Sequence, residues 1–239
     1  MITDIHNIAE SSLKTSVVII GSGAAGAILA YKLAMNGIDC IVLEEGKQYS
    51  RKDLAMSPLK VAQEIYRDCG FFSTLGKPIM PIPVGKALGG TTVVNSGTCF
   101  QTPHAKIKKW QNELGLNTLT IDKFEASFEF LKELVGMEYA KEAVISSGNL
   151  KFAEGLKEMG LKAKPLLRNT KNCNGSGFCC YGCPTGAKQS MDVSVIPKAS
   201  AAGATFIVEA KAEKIKRKGN KVDYILAVSP KEEGRPQKK

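Results

Sequence analysis

Ser16-Val17-Val18-Ile19-Ile20-Gly21-Ser22-Gly23-Ala24-Ala25-Gly26 is the stretch on which the fold turns. Its first half is a β-branched apolar run, the composition of a strand buried on both faces. Its second half spaces three glycines through a turn that opens a helix. Gly21 permits the tight turn, Gly23 lets the backbone approach a pyrophosphate, and Gly26 allows the helix to pack closely on the strand. With Ser22, Ala24 and Ala25 they form a loop whose exposed N–H groups and helix-dipole end suit phosphate. The helix reads from Ala24 to Asn36, Ala30 keeps its sheet-facing side small, and Gly37 is a C-terminal stop. Cys40-Ile41-Val42-Leu43 is a second buried strand, ending at Glu44-Glu45-Gly46. Strand, glycine turn, helix and strand make a βαβ unit with a right-handed crossover. Glu44 closes that unit roughly 20 residues after the loop, where an acid binds ribose hydroxyls and would repel the 2′-phosphate of NADP. Glu45 is the alternative in register.

Working outward, residues 1–15 are polar and read as a short helix or an unstructured lead-in. Residues 47–84 are irregular, and Pro78, Pro81 and Pro83 indicate an extended loop. Asp122 with Glu125 has the spacing of a capping box, followed by Phe124, Phe128, Leu131 and Leu134 at helical spacing. A further helix is expected from about Ser147 to Met159, with Leu150, Ala153 and Leu156 inward. Asn169 to Lys188 is rich in Cys, Gly and Asn and reads as a long loop. Ala204–Val208, continuing toward Ile215, and Val222–Val228 are strand-like, with Gly219-Asn220 as a hairpin signal. The tail from Ser229 is expected to be disordered.

The 239 residues suffice for one large domain or two modest ones. With 44% hydrophobic and 23% charged residues the composition is that of a globular protein. No apolar run reaches the roughly 18 residues of a membrane-spanning helix, and the N-terminus lacks the pattern of a secretory signal. Seven cysteines without framework spacing fit a cytoplasmic, reducing setting. The formal charge of +10 would suit nucleic acid, a membrane surface or an anionic cofactor. No nucleic-acid motif accompanies it, so nucleic acid is not an expected partner.

A second glycine motif, Gly85-Lys86-Ala87-Leu88-Gly89-Gly90-Thr91-Thr92-Val93-Val94-Asn95-Ser96-Gly97, joins adjacent glycines to hydroxyls. Such a loop permits close backbone approach and supplies polar contacts. Here the sequence resembles the glucose-methanol-choline (GMC) family of flavoprotein oxidoreductases. That resemblance implies FAD as cofactor, with Gly89, Gly90, Thr91, Asn95 and Gly97 along its diphosphate and isoalloxazine and Thr98 near the flavin ring. The family's usual aromatic falls one residue later here, with Cys99 preceding Phe100 and Pro103. Phe178-Cys179-Cys180-Tyr181-Gly182-Cys183-Pro184-Thr185-Gly186-Ala187-Lys188 is similar to a loop of the branch containing long-chain alcohol oxidases and cholesterol oxidases. Ile196-Pro197-Lys198-Ala199 and Gly203-Ala204 match the family's next helix and strand, after which the backbone near Ala212 would face the adenine.

The resemblance therefore implies an α/β, Rossmann-like FAD-binding domain, incomplete, with an inserted partial substrate region. Residues 1–100 would hold the βαβ unit and the flavin-contacting loop. Residues 101–200 would be a helical and loop insertion carrying the cysteine-rich loop. Residues 201–228 would be return strands and 229–239 a disordered tail. The implied reaction oxidises a small-molecule alcohol to an aldehyde or ketone. The family's catalytic base is a histidine in a C-terminal part that His6 and His104 do not match. The chain is accordingly expected to be a fragment, one subunit of a split enzyme or a relic. Its expected partners are a separately encoded C-terminal half or an electron-transfer subunit, and alone it is expected to bind FAD without turnover. An inactive FAD-binding subunit and an NAD-dependent dehydrogenase are the alternatives. The latter explains Gly21–Glu44 and leaves Gly89–Gly97 without a purpose.

Cys173, Cys179, Cys180 and Cys183 stand apart by five, no and two residues. An iron–sulfur run wants repeated two-residue gaps, and structural zinc commonly takes two Cys-x-x-Cys pairs. The favoured reading is thiols that pack a loop, with no metal.

Overall fold

The computed structural model describes residues 1–10 and 12–232. Its elements run β1 (Ile2–Asp4), β2 (Val17–Ile20), α1 (Ala24–Met35), β3 (Cys40–Leu43), α2 (Pro58–Ile65), α3 (His104–Leu114) and α4 (Ile121–Leu134). They continue with β4 (Met137–Tyr139), α5 (Ser147–Glu158), β5 (Leu167–Asn169), α6 (Val195–Ala201), β6 (Thr205–Val208), β7 (Lys211–Lys218) and β8 (Lys221–Val228). The chain divides into two compact units. The first takes residues 1–95, 178–186 and the described residues from 190 on; the second takes 96–177 and 187–189. By compactness the first unit ends at Asn95 and takes back 178–186 and the described residues from 190 on, beside the boundaries at 100 and 200 that the resemblance implies.

The first unit is built on a parallel four-stranded sheet in the order β1-β6-β3-β2. Val17, Val18, Ile19 and Ile20 pair with Cys40, Ile41, Val42 and Leu43, so the two expected strands lie side by side. All four β3 residues are buried, as expected for a strand covered on both faces. Helix α1 packs on one face with Ala27 and Ala30 fully buried, beside α6. Gly37, at φ 68°, ends α1 with its N–H on Ala34 O (2.9 Å). The other face carries Ile41, Leu43, Ile207 and Ala210, against which Ile225 and Ala227 of the β7–β8 hairpin pack.

Several expectations need correction. The N-terminus is an edge strand, because Phe206 N–H donates to Met1 O (2.7 Å) and the Met1 ammonium donates to Ala204 O (2.7 Å). Residues 47–84 contain α2, whose start is signalled by Ser57 and Pro58: the serine hydroxyl accepts from Lys60 N–H and proline fills the first turn. Val61 and Ile65 of that helix are fully buried with Leu54, Ala87, Val93 and Val94. The strands after α6 break at Glu209, whose φ is 52°. Ser229, expected in a disordered tail, is buried and its hydroxyl meets His6 Nε2 at 3.0 Å. The rest of that tail, residues 233–239, lies outside the described residues.

The second unit holds α3, α4, α5 and the antiparallel pair β4–β5. Helix α4 is capped by Thr120, whose hydroxyl accepts from Lys123 N–H, so Asp122 sits in the first turn and is not the cap. Helix α3 had no expected counterpart; Ile107 is its buried residue, and Trp110 meets Phe124 of α4 with ring centroids 6.1 Å apart.

Phe206, fully buried on the inner strand β6, tests this arrangement. Phe206→Ala is expected to cost about 3–5 kcal/mol, measured as a lowered urea midpoint at unchanged slope. A loss under about 0.5 kcal/mol, typical of surface sites, would contradict its placement.

Candidate functional site

Because β2 and β3 are neighbours in register, the glycine loop and the acidic strand end emerge side by side. Gly21 N–H donates to Leu43 O (2.8 Å), which brings Ser22 beside Glu44. Both are buried. Glu44 Oε2 accepts from Ser22 N–H (2.9 Å) and from Ser22 Oγ–H (2.6 Å), and Oε1 accepts from Gly46 N–H (2.8 Å). A carboxylate is tolerated at this depth only when charge-assisted bonds replace its water. It offers about four acceptor positions, so one remains for a ribose hydroxyl. Having given its proton to Glu44, Ser22 Oγ accepts from Gly89 N–H (2.9 Å). The same serine thus joins the two glycine motifs, a role that its spacing in the sequence does not reveal.

The second motif is held by its own hydroxyls. Thr92 Oγ1 donates to Gly89 O (2.6 Å) and accepts from Met191 N–H (3.0 Å). Thr91 Oγ1 accepts from Gly85 N–H (3.1 Å), and Asn95 N–H donates to Thr91 O (2.9 Å). Gly89 and Gly90 have φ of 100° and 57°, where side chains are disfavoured. A Cβ on Gly90 would stand 2.9 Å from Gly23 Cα, so the loops meet backbone to backbone. Between them opens a cleft of ≈ 450 Å³. Gly21, Gly23, Glu44, Gly90, Thr91 and Ala212 all line it. Ala24 and Ala25 form the exposed first turn of α1, which has neither an acidic residue nor a side-chain cap. Its leading amides are left for an anion. Gly26 serves packing: a Cβ there would fall 2.0 Å from Gly21 O.

Two lining residues came without a sequence signal of their partnership. Glu45, the register alternative to Glu44, pairs with Arg67, and both line the cleft. Arg67 is delivered by a distant turn, its N–H donating to Val84 O (2.8 Å), a contact invisible to local patterning. Arg51 is a further case: it donates to Asp192 and to Cys183 O (3.2 Å), and Asp192 N lies against Gly89.

Gly97 and Thr98 belong to the second unit. Gly97 has φ 72° and a Cβ there would lie 2.8 Å from Asn169 Oδ1. That oxygen is buried without a hydrogen-bond partner among the described residues, while the Asn169 amide donates to Gln189 O (2.9 Å). Thr98 Oγ1 meets Ser96 Oγ at 3.2 Å. Cys173 also falls in the second unit, whereas Cys179, Cys180 and Cys183 fall in the first. None of them forms a disulfide bond among the described residues. Among the described residues, no group of three or more His, Cys, Asp or Glu is placed to hold a metal ion. The cysteine-rich loop instead anchors through its backbone, Cys180 O accepting from the Tyr66 hydroxyl. Burial, chiefly, pushes that phenol up to about 12, so it remains a donor across the physiological range. His104 Nε2 meets Glu125 Oε1 at 2.9 Å with both side chains about half exposed.

Comparison with known proteins agrees with this geometry. A family model described as GMC oxidoreductase matches residues 62–238, and one described as FAD binding domain matches residues 16–57. An uncharacterized GMC-type oxidoreductase of Mycobacterium tuberculosis is 33% identical over 93% of this chain and 36% of its own length. A long-chain-alcohol oxidase of Arabidopsis thaliana is 27% identical over 85% of this chain and 26% of its own. The chain thus spans about a third of the length of these relatives. Among solved structures, pyridoxine 4-oxidase from Mesorbium loti superposes with a TM-score of 0.67 at 14% identity, covering 91% of this chain and 47% of that one. FAD is the cofactor of this site. The residues fit it: a glycine cradle that a Cβ would fill, a helix N-terminus open to phosphate, and an acid with acceptor capacity left for ribose.

Glu44→Gln replaces a charged acceptor of three bonds by a neutral one and is expected to weaken FAD binding by at least about tenfold, near 1.5–3 kcal/mol. Glu45→Gln, which leaves the loop bonds intact, is expected to have the smaller effect. Flavin fluorescence titration of the two variants checks the order; the reverse order would give Glu45 the principal role.

Proposed function

The chain belongs to the GMC oxidoreductase family, and from that membership we propose that it is the FAD-holding part of an enzyme oxidising an alcohol CH–OH group to an aldehyde or ketone. The observation carrying the proposal is the Ser22 hydroxyl bridging Glu44 and Gly89 (2.6 and 2.9 Å). It binds the nucleotide loop to a second loop that an NAD-binding βαβ unit has no use for. Relatives named long-chain-alcohol oxidase and cholesterol oxidase support an alcohol as the small-molecule donor.

The chemistry that FAD supplies when bound is acceptance of a hydride from the alcohol carbon. This chain's residues bind and orient. The first turn of α1 would hold the pyrophosphate and Glu44 the ribose, and Ala210, Lys211 and Ala212 line the same cleft. The proton acceptor for the alcohol hydroxyl is assigned to polypeptide beyond these residues, because neither His6 nor His104 lines the cleft. The partner in catalysis is therefore a C-terminal half, in the same polypeptide or separately encoded. Seven cysteines without a disulfide among the described residues suit a reducing, cytoplasmic compartment. No described helix is long and apolar enough to cross a membrane.

Anaerobic mixing of the FAD-loaded chain with primary and secondary alcohols tests this. We expect retained flavin absorbance, reversible reduction by dithionite, and no bleaching by alcohol until a C-terminal half of the family is added. Loss of flavin on gel filtration would sink the cofactor role. Bleaching by alcohol with the chain alone would place the base within it.

A further inference from the structure

A cleft that takes FAD must accept a diphosphate, yet its phosphate loop carries no cation. From Ser16 to Tyr31 the sequence has neither Lys nor Arg. The loop therefore offers amides and the end of the α1 dipole, equivalent to about half a charge. Glu44 and Glu45 bring two negative charges to the same cleft, and its lining cations are Arg67 and Lys211. Lys211 opens β7, whereas Arg67 is tied to the second glycine motif. Its N–H donates to Val84 O (2.8 Å), and the next residue, Gly85, donates its N–H to Thr91 Oγ1 (3.1 Å). Gly90 of that motif abuts Gly23, the residue that caps α1.

From this side Arg67 reaches to the end of β3, where its guanidinium pairs with Glu45 Oε1. Glu45 is its one side-chain partner among the described residues. A guanidinium has five N–H donors in a fork that suits phosphate as well as carboxylate, so donor capacity remains. The chain does not need the pair to place Arg67. Lys86 N–H donates to Ile65 O (2.6 Å), Ile65 is fully buried, and an ion pair whose side chains are 37% and 21% exposed adds little to stability. The turn that delivers Arg67 is itself uncommon. Asp68 and Cys69, directly after it, have φ of 49° and 54°, a region that is costly for residues with side chains and is retained where the position it fixes is used.

We propose that Arg67 binds the FAD pyrophosphate and that Glu45 is its positioning residue. One carboxylate oxygen holds the guanidinium at the cleft, and the remaining donors are left for phosphate oxygens. Glu44 spends its charge on Ser22 and Gly46; the charge of Glu45 is offset by Arg67 and does not confront the anion. The inference rests on FAD being the cofactor of this cleft and adds to it a residue that neither glycine motif contains.

The test is titration of the apoprotein with FAD and with ADP, alongside competition by adenosine, which lacks phosphate. Arg67→Gln is expected to weaken FAD and ADP at least about tenfold and to flatten the fall of affinity with added salt, leaving adenosine unchanged. Arg67→Lys, which keeps the charge and loses the fork, is expected to fall between parent and glutamine. Glu45→Gln is expected to weaken ADP about threefold and to add nothing in the Arg67→Gln background. Apoprotein melting temperatures at the parent value report an intact fold. Unchanged ADP affinity in Arg67→Gln overturns the proposal, and so does an equal loss for adenosine, which makes the pair a structural clip. Tighter ADP binding by Glu45→Gln makes Glu45 a repulsive charge and overturns its positioning role. Failure of the parent chain to bind FAD would strike the cofactor assignment and this proposal with it, and it shows before any variant is made.

Discussion

The buried Glu44 carboxylate is the interaction on which the first unit depends. Its oxygens hold the phosphate loop through Ser22, the strand end through Gly46 and, by way of the Ser22 hydroxyl, the Gly89 loop. Ser22 and Gly89 stand 22 and 67 residues from their partners Glu44 and Ser22 in sequence. A charge withdrawn from water demands donors, and here they are the Ser22 and Gly46 amides and the Ser22 hydroxyl, next to the lining residues Gly21, Gly23 and Glu45. The group that fixes the loop geometry is therefore also the one to which we assign ribose recognition. The remaining features serve that constraint. Parallel pairing of β2 with β3 aligns loop and acid. Gly26 lets α1 approach close enough to aim its amides. Thr92 and the Arg51–Asp192 pair brace the Gly89 turn from behind.

How much of this was legible depended on whether the determining interaction is local. The βαβ unit could be read because buried strands and glycine punctuation are written in consecutive residues. The placement of Gly21, Gly23, Glu44, Gly90, Thr91 and Ala212 on one cleft followed from motif and resemblance together. Strand β1 was missed because three residues carry no periodicity, and its existence rests on pairing with Phe206–Val208. Helix α2 had a readable start at Ser57-Pro58, overshadowed by the later prolines. Helix α3 buries only Ile107, too little to impose a pattern. The Glu45–Arg67 pair has no signature at all, since it is made by chain returning from residue 84.

The two glycine motifs have different physical reasons. Gly26 is small so that packing is close, whereas Gly89 and Gly90 adopt positive φ so that a turn can exist. That difference predicts unlike consequences for substitution: at Gly26 a methyl meets a carbonyl oxygen, and at Gly90 it meets the opposite loop. The cleft is consequently a product of backbone approach, with side chains supplying the clamps.

The most direct measurement is calorimetric titration of the apoprotein with FAD, read alongside amide hydrogen exchange. The account requires saturable binding of one FAD per chain, competed by ADP, with slowed exchange at the Ser22 and Gly89 amides on binding. Absence of saturable FAD binding, or tighter binding of NADP than of FAD, would contradict it.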